Sequence, residues 1–472
     1  MKIIFTFLTL LMTFCMNVNA QVDIYSTFKD GKFNWWIRAN VDKNHDLQLS
    51  NEEIAAVTSM DISYQDISDL TGINYFTSLE RLYCDNNNLT TLTLDIPTLK
   101  LVNCQYNQLK TLNVTKLTAL TSLYCSSNEL KSLDVSNNTN LNDLQCPFNN
   151  ITSLNVSNNT HLTSLRCFHN NLKTVNVSML NDLAYFYCGD NPLTSFDISH
   201  NLKLIELSCY NNNLTALDVS KHTKITRLFC HGNKLTSLNL SNLTNLERLN
   251  CSDNLLESLN VSMAPKLEEF SCKGNKLTSL DVSKNTALRS FDCSNNLITS
   301  LNVANCTNIY MLTCNENRMF TLDLSNNSEI TFENRAVISP QNITAYVEKL
   351  DDGRLAVDLM NTGYDSSRFK EYKADGVSKN IDIEGRYLIV ANDLATCPET
   401  VSYRYDTNFI NHMGNHVLMN VNITLAIPEA LLIDDVENDP QNNAVRYNLN
   451  GQMVGNDYKG IVIINRKKFL IK

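Results

Sequence analysis

The sequence predicts a mainly β chain whose body is a coil of short stacked turns, and three observations predict it. Cysteine recurs on a fixed beat, at Cys84, Cys104, Cys125, Cys146, Cys167, Cys188, Cys209, Cys230, Cys251, Cys272, Cys293 and Cys314, with one step of twenty residues and then steps of twenty-one. An Asn stands three places after each of them, from Asn87 to Asn317. Around each Cys the apolar residues alternate, as in Leu82-Tyr83-Cys84-Asp85, which is the period of a strand and not of a helix. A lone turn of this kind has an apolar edge that it cannot bury. Stacked turns bury it against one another, so such arrays need several repeats and distinct caps.

Composition narrows the alternatives. A chain of 472 residues is better divided into a repeat body and terminal modules than packed around one core. Glycine numbers only 13, about 3 % against a usual ~7 %, which excludes collagen-like and glycine-rich helical repeats. The net charge of −10, with no basic stripe before the last seven residues, argues against nucleic acid, whose phosphates need clustered Lys and Arg.

Residues 1–20 read as a secretory signal: Met1-Lys2, an apolar run, and small residues at Val18-Asn19-Ala20 before Gln21. The run is shorter than the roughly 20 residues of a spanning helix, so an exported, water-soluble chain is expected. Residues 21–78 form an N-terminal cap. Within it, DKNHDLQLSNEE resembles a single calcium-binding EF-hand-type loop following a short helix. Asp42, Asn44, Asp46, Ser50 and Glu53 stand at places one, three, five, nine and twelve, with the Gln48 carbonyl at seven. The resemblance implies a bound calcium ion. It departs at place six, where Leu47 must take a backbone conformation that glycine adopts freely. A degenerate loop kept only as a cap is the competing reading.

Residues 79–330 hold the array. The unit is L-x-x-L-x-C-x-x-N-x-L-x-x-L-x-(L/V)-S plus a short link, and both halves alternate, so each turn is expected to carry two short parallel strands. The pattern resembles leucine-rich repeats of the twenty-one-residue kind, matched twelve times in register over about half of the chain. In that family the recurrent Asn bonds the backbone of neighbouring turns, and the Cys occupies an inward place that more often holds Leu. A thiol is a small, readily buried filler. Buried free thiols are expected, ahead of disulfides, which would strain in-register turns, and of metal binding, for which no C-x-x-C pair exists. Cys306 and Cys397 lie outside the beat.

Comparison of the repeats locates a candidate working face. Outward residues of the second strand are uniform, such as Ser132 and Asp134 or Ser279 and Asp281, and read as scaffold. Those of the first strand vary: Tyr83, Tyr124, Arg166, Tyr187 and Phe229 precede the Cys, and Arg81, Tyr185, Glu206 and Arg227 stand two places earlier. Phe168, Tyr210 and His231 follow it, with Tyr106, Phe148 and His169 one place further. Aromatics with Arg on a rigid sheet have the composition of a protein-binding surface. The candidate contact residues are therefore Tyr124, Phe168, Tyr185, Tyr187, Tyr210, Phe229 and His231. The alternative is that the rings fold over the turn edge and pack on their neighbours.

Residues 331–433 alternate in short runs, such as RLAVDLM and TVSYRYD, between turn signals, and read as an Ig-like β-sandwich covering the open end of the solenoid. Residues 434–472 read as a small C-terminal β module. Tyr447-Asn448-Leu449-Asn450-Gly451, Lys459-Gly460-Ile461 and Lys467-Lys468 resemble the sorting tail of type IX secretion in Bacteroidetes-type bacteria, with Arg466 where Gly is usual. The resemblance implies outer-membrane surface attachment. Together these readings predict a secreted or cell-surface protein that binds another extracellular protein in adhesion or host–microbe contact; the alternative is a structural surface spacer without a ligand. No nucleophile motif, H-E-x-x-H or phosphate-cradling loop points to an enzyme, and calcium is the one cofactor considered.

Overall fold

The computed structural model describes residues 21–330, 335–360, 365–411, 414–428 and Leu431, together with the backbone of strands within 446–471. The signal reading for residues 1–20 lies outside the described residues. The chain forms two units, residues 1–255 and 256–472.

Unit 1 begins with the cap. Asp30 accepts from the N–H groups of Lys32 and Phe33 and starts the helix Gly31–Asn40, which buries Phe33, Asn34 and Ile37. Phe28 meets the Phe33 ring edge-on at 5.3 Å and lies 6.0 Å from Phe76, so the helix seals the first turn with aromatic surface. Ten parallel strands of three residues follow, from Ser59–Asp61 through Arg81–Tyr83 to Arg248–Asn250. Registers repeat without slippage, as in Ser164↔Tyr185, Leu165↔Phe186 and Arg166↔Tyr187. In each strand the central residue points inward, and the Met, Leu, Val or Phe there is buried.

The Cys ladder is internal, as the alternation requires: all twelve side chains are buried and none is in a disulfide. The Asn that follows holds the turns together. Asn191 Nδ2 donates to the carbonyls of Cys167 in the preceding turn and of Cys188 and Gly189 in its own, at 3.1, 3.3 and 3.0 Å. Its Oδ1 accepts from Leu172 N at 2.9 Å. One buried amide thus satisfies backbone groups that no strand pairs. A second, irregular ladder runs along the link. Asn138, Asn159 and Asn201 donate to two carbonyls each, and His222 Nε2 lies 3.0 Å from the Ile198 carbonyl.

The expected second strand in every turn is corrected. Along that row the only ladder among the described residues joins Thr91–Thr93 to Thr111–Asn113. The Asp or Asn in this segment turns back on its own chain both inside and outside that ladder: Asn113 accepts from Thr115 N, as Asp134, Asn155, Asn176 and Asp218 accept from the N–H two residues on. What sets the paired turn apart is Thr93, a strand former at the place where Asp or Asn, which are poor ones, stand in the later turns. There Leu94 N reaches the Asn113 carbonyl at 3.2 Å.

Unit 2 continues the same repeat with strands Glu269–Ser271, Ser290–Asp292 and Met311–Thr313, followed by Ala336–Val337. Cys306 joins its second ladder, its thiol pointing at the carbonyls of Val282 and Asn285. Gln341 ends the first one: its Nε2 donates to the Cys314 carbonyl at 2.9 Å, where a further Asn would stand. The region expected as an Ig-like sandwich is hydrogen-bonded as one curled, mixed, eight-stranded sheet. Gln341–Lys349 pairs in parallel with His416–Ala426 along its first half and antiparallel with Leu355–Asp358 at its end. One long strand thereby joins what alternation alone suggested were two layers. Tyr403 anchors this sheet on the last turn by donating to the Phe320 carbonyl at 2.9 Å. Near the C-terminus, Arg446–Asn448, Met453–Val454, Gly460–Ile464 and Lys467–Ile471 form an antiparallel sheet. Leu449, Asn450, Gly451 and Lys459 of the sorting-tail resemblance lie outside the described residues. Among the described residues no helix is long and apolar enough to cross a membrane.

Candidate protein-binding face

All seven candidate contact residues belong to unit 1. The row before the Cys places Tyr124, Gln145, Arg166, Tyr187, Ser208, Phe229 and Asn250 on successive strands in register. The Arg166 guanidinium lies over the Tyr187 ring at 5.0 Å, a cation–π contact that fixes two long side chains on the face. Ser208, registered between Tyr187 and Phe229, is only 4 % exposed, as expected where large side chains flank a small one. Tyr185 stands exposed beside them, and Arg227 pairs with Glu206 at 3.3 Å. Tyr124 is separated from Arg166 by the turn of Gln145.

The row after the Cys behaves differently. Tyr210 stacks on His231 at 4.9 Å with a 2° interplanar angle and also covers the backbone of the preceding turn. A Cβ built on Gly189 would come within 2.6 Å of the Tyr210 ring. Phe168 meets Phe148 edge-on at 5.3 Å. Tyr210, His231 and Phe168 therefore divide their surface between packing and solvent. Burial sets their electrostatics. It raises the Tyr187 and Tyr124 hydroxyls, and with the Asp190 carboxylate nearby it pushes Tyr210 up to about 12. Burial also lowers the His231 imidazole against the pull of Asp253 and Asp190. The phenols stay neutral donors and the imidazole favours its neutral form, so the aromatic patch carries little charge besides its Arg and Glu.

The EF-hand-like loop lies apart, in the cap. Leu47 takes φ +64° at the place usually held by Gly, and Gln48–Leu49 pairs with Val22–Asp23. Asp42 is buried, with Oδ2 accepting from Leu47 N at 3.1 Å and Oδ1 unpartnered. Asn44 and Asp46 bond each other and the loop backbone. Glu53 is committed elsewhere. Its carboxylate accepts from Lys43 N and Ser50 N, and Ser50 caps the helix Asn51–Ala56 in return. Among the described residues no three His, Cys, Asp or Glu side chains are gathered as a metal ligand set. The orphaned Asp42 oxygen fits a cation, whereas Glu53 would have to leave its cap to complete one.

The sequence missed one feature of the face. Two places after each Cys the backbone is left-handed, and so are the bulky residues there, including Tyr106 (φ +53°), Phe148 (φ +54°) and His169 (φ +54°). The signal was present in the same column, where Asn86, Asn211, Gly232 and Gly274 are residues that accept this conformation readily.

A fold of this kind, with a ladder of cysteines, has a counterpart among solved structures. The functional domain of InlJ from Listeria monocytogenes, which includes a cysteine ladder, matches with a TM-score of 0.64 and 28 % identity over 86 % of this chain and 99 % of that one. This is a leucine-rich-repeat protein related to the Listeria internalins. Internalin InlF of the same species shares the fold, with a TM-score of 0.54 and 21 % identity over 67 % of this chain and 91 % of that one. By sequence, Internalin J of L. monocytogenes is 35 % identical over 88 residues, which take in 16 % of this internalin-related chain and 10 % of that protein. No protein-family model matches.

Proposed function

We propose that this chain is a secreted or surface-attached binding protein, and that the outward face of its first strands, centred on Tyr187 and Phe229, contacts an extracellular protein. The observation that carries the reading is the row Arg166, Tyr187, Ser208 and Phe229: Tyr187 braced by the Arg166 guanidinium and Phe229 two strands on, both half-buried on a backbone held in register. Such pre-ordered aromatic and Arg anchors supply most of the energy of a typical interface, and their rigidity lowers the entropic cost of association. The internalin relationship supports a surface or secreted location, and the sorting-tail resemblance extends it to the outer membrane of a type IX secretor. Calcium in the cap, on Asp42, Asn44, Asp46, Ser50, Glu53 and the Gln48 carbonyl, belongs to the same proposal as a local stabiliser.

The experiment is a screen of the intact mature protein against extracellular proteins, followed by Tyr187→Ala and Phe229→Ala. Each should weaken the partner found by about 2 kcal/mol or more, with melting nearly unchanged and with Ser279→Ala as a silent control. If the substitutions unfold the protein and spare binding, the rings are packing and the proposal fails.

A further inference from the structure

We infer that the turn edge of unit 1 is a second binding site, for a neutral, extended β-1,4-linked polysaccharide lying along the axis of the array. The left-handed column begins in the cap and reads Tyr64, Asn86, Tyr106, Ser127, Phe148, His169, Asp190, Asn211. Large aromatic side chains occupy alternate turns, and they are exposed: Tyr64 by 73 %, Tyr106 by 59 % and Phe148 by 47 %, the last with part of its ring packed on Phe168 and on His169 at 4.7 Å. Left-handed φ is unfavourable for bulky residues, and Asn, Asp or Gly fills the same place in other turns without that strain. Strain held on an exposed ring, where it adds little to the core, marks a place kept for contact.

The spacing says what the contact is. Backbone bonds between successive turns persist at this column, with Tyr64 N to Asp85 O at 3.1 Å, Tyr106 N to Ser126 O at 3.0 Å and Phe148 N to Phe168 O at 3.3 Å. Neighbouring turns are therefore held at the strand spacing of ≈ 4.8 Å, and alternate turns at about 10 Å. An extended β-1,4-linked glycan repeats every disaccharide over the same length, presenting the apolar face of one sugar ring to each aromatic.

Beyond Phe148 the column meets a shallow groove of about 490 Å³, lined by His169, Asp190 and Asn211 of the column and by Asn150, Asn171 and Asn213 two residues further along their turns. Exposed carboxamides donate and accept at once, as hydroxyl groups do. Asp190 is held by Asn211 Nδ2 at 2.8 Å, and no Lys or Arg lines the groove, so a phosphate or uronic acid would find no counter-charge there. The groove also lies on the edge of the turns and not on the strand face that carries Tyr187 and Phe229.

The test is native gel electrophoresis of the intact protein through gels containing hydroxyethylcellulose, glucomannan or xylan, with the α-linked glucan pullulan as control. Retardation by at least one β-1,4-linked polymer and none by pullulan is expected. The double variant Tyr106→Asn and Phe148→Asn, whose new residues accept left-handed φ, should lose at least about tenfold in apparent affinity while its melting temperature holds or rises. Asn171→Ala should weaken retardation with the fold intact. Absence of retardation by every β-linked polymer, equal retardation by pullulan, or full retention in the double variant would overturn the inference. So would a double variant that loses a protein partner but keeps its glycan, since the column would then extend the protein-binding face.

Discussion

Raising the pH should open this protein through its thiols, and the size of the effect follows from their burial. Desolvation pushes Cys104, Cys146, Cys230 and Cys314 from the ordinary 9.0 up to about 12, and Cys84, Cys125, Cys188 and Cys293 well above 9.0. Because the folded value is raised, the folded chain holds more protons than the unfolded one between those limits. The stability is complete below about pH 9 and is lost as the pH climbs toward 12. At about pH 10 an unfolded thiol is ionised roughly ten to one, so keeping it protonated costs about 1.4 kcal/mol. Over the eleven ladder thiols whose values burial raises this sums to on the order of 15 kcal/mol, comparable with the whole stability of a typical domain. Urea unfolding under reducing conditions, followed by circular dichroism at steps of pH, should show the midpoint falling steeply above about pH 9. Cys188→Ala should be less stable at neutral pH by about 1–2 kcal/mol of packing. It should then recover about 1.4 kcal/mol relative to the parent by about pH 10. Parallel curves for the two proteins, or ready labelling of most thiols by a disulfide reagent in the native state, would refute the reasoning.

Other outcomes follow from the ladder and the cap. Asn191→Ala removes the partner of three carbonyls and of Leu172 N, and should cost about 3 kcal/mol, more than any exposed Asn, as measured by urea unfolding. Glu53→Ala should destabilise with or without calcium, by about 1 kcal/mol, because it breaks the helix cap. Asp42→Asn should abolish only a calcium-dependent rise in melting temperature, and the absence of any such rise in the parent leaves the loop as a cap. Gly189→Ala should expel Tyr210 from its seat, because the new methyl would come within 2.6 Å of the ring; loss of the stacking shifts at His231 in the NMR spectrum would report it.

The sequence by itself determined the coil, its pitch, the inward place of the thiols and the bonding Asn. In a repeat array each turn touches mainly its neighbours, so a periodic sequence and a periodic structure carry the same information. The tertiary structure decided whatever depends on competition for one group. The backbone of the second segment pairs between turns only where Thr93 stands, and alternation alone could not say that Asp or Asn at that place, as at Asp134, would leave the later turns unpaired. Cys306 reads as a stray cysteine until the second ladder shows it at a place that Asn fills elsewhere. The mixed sheet depends on a parallel pairing of Gln341 with Val421, partners too far apart in sequence for any local pattern to encode. The division of the aromatics was likewise invisible in the residue types: Tyr210 is seated over a glycine of the turn before, whereas Tyr106, one place further from its own Cys, is carried into solvent by a left-handed backbone that the stacking of turns imposes.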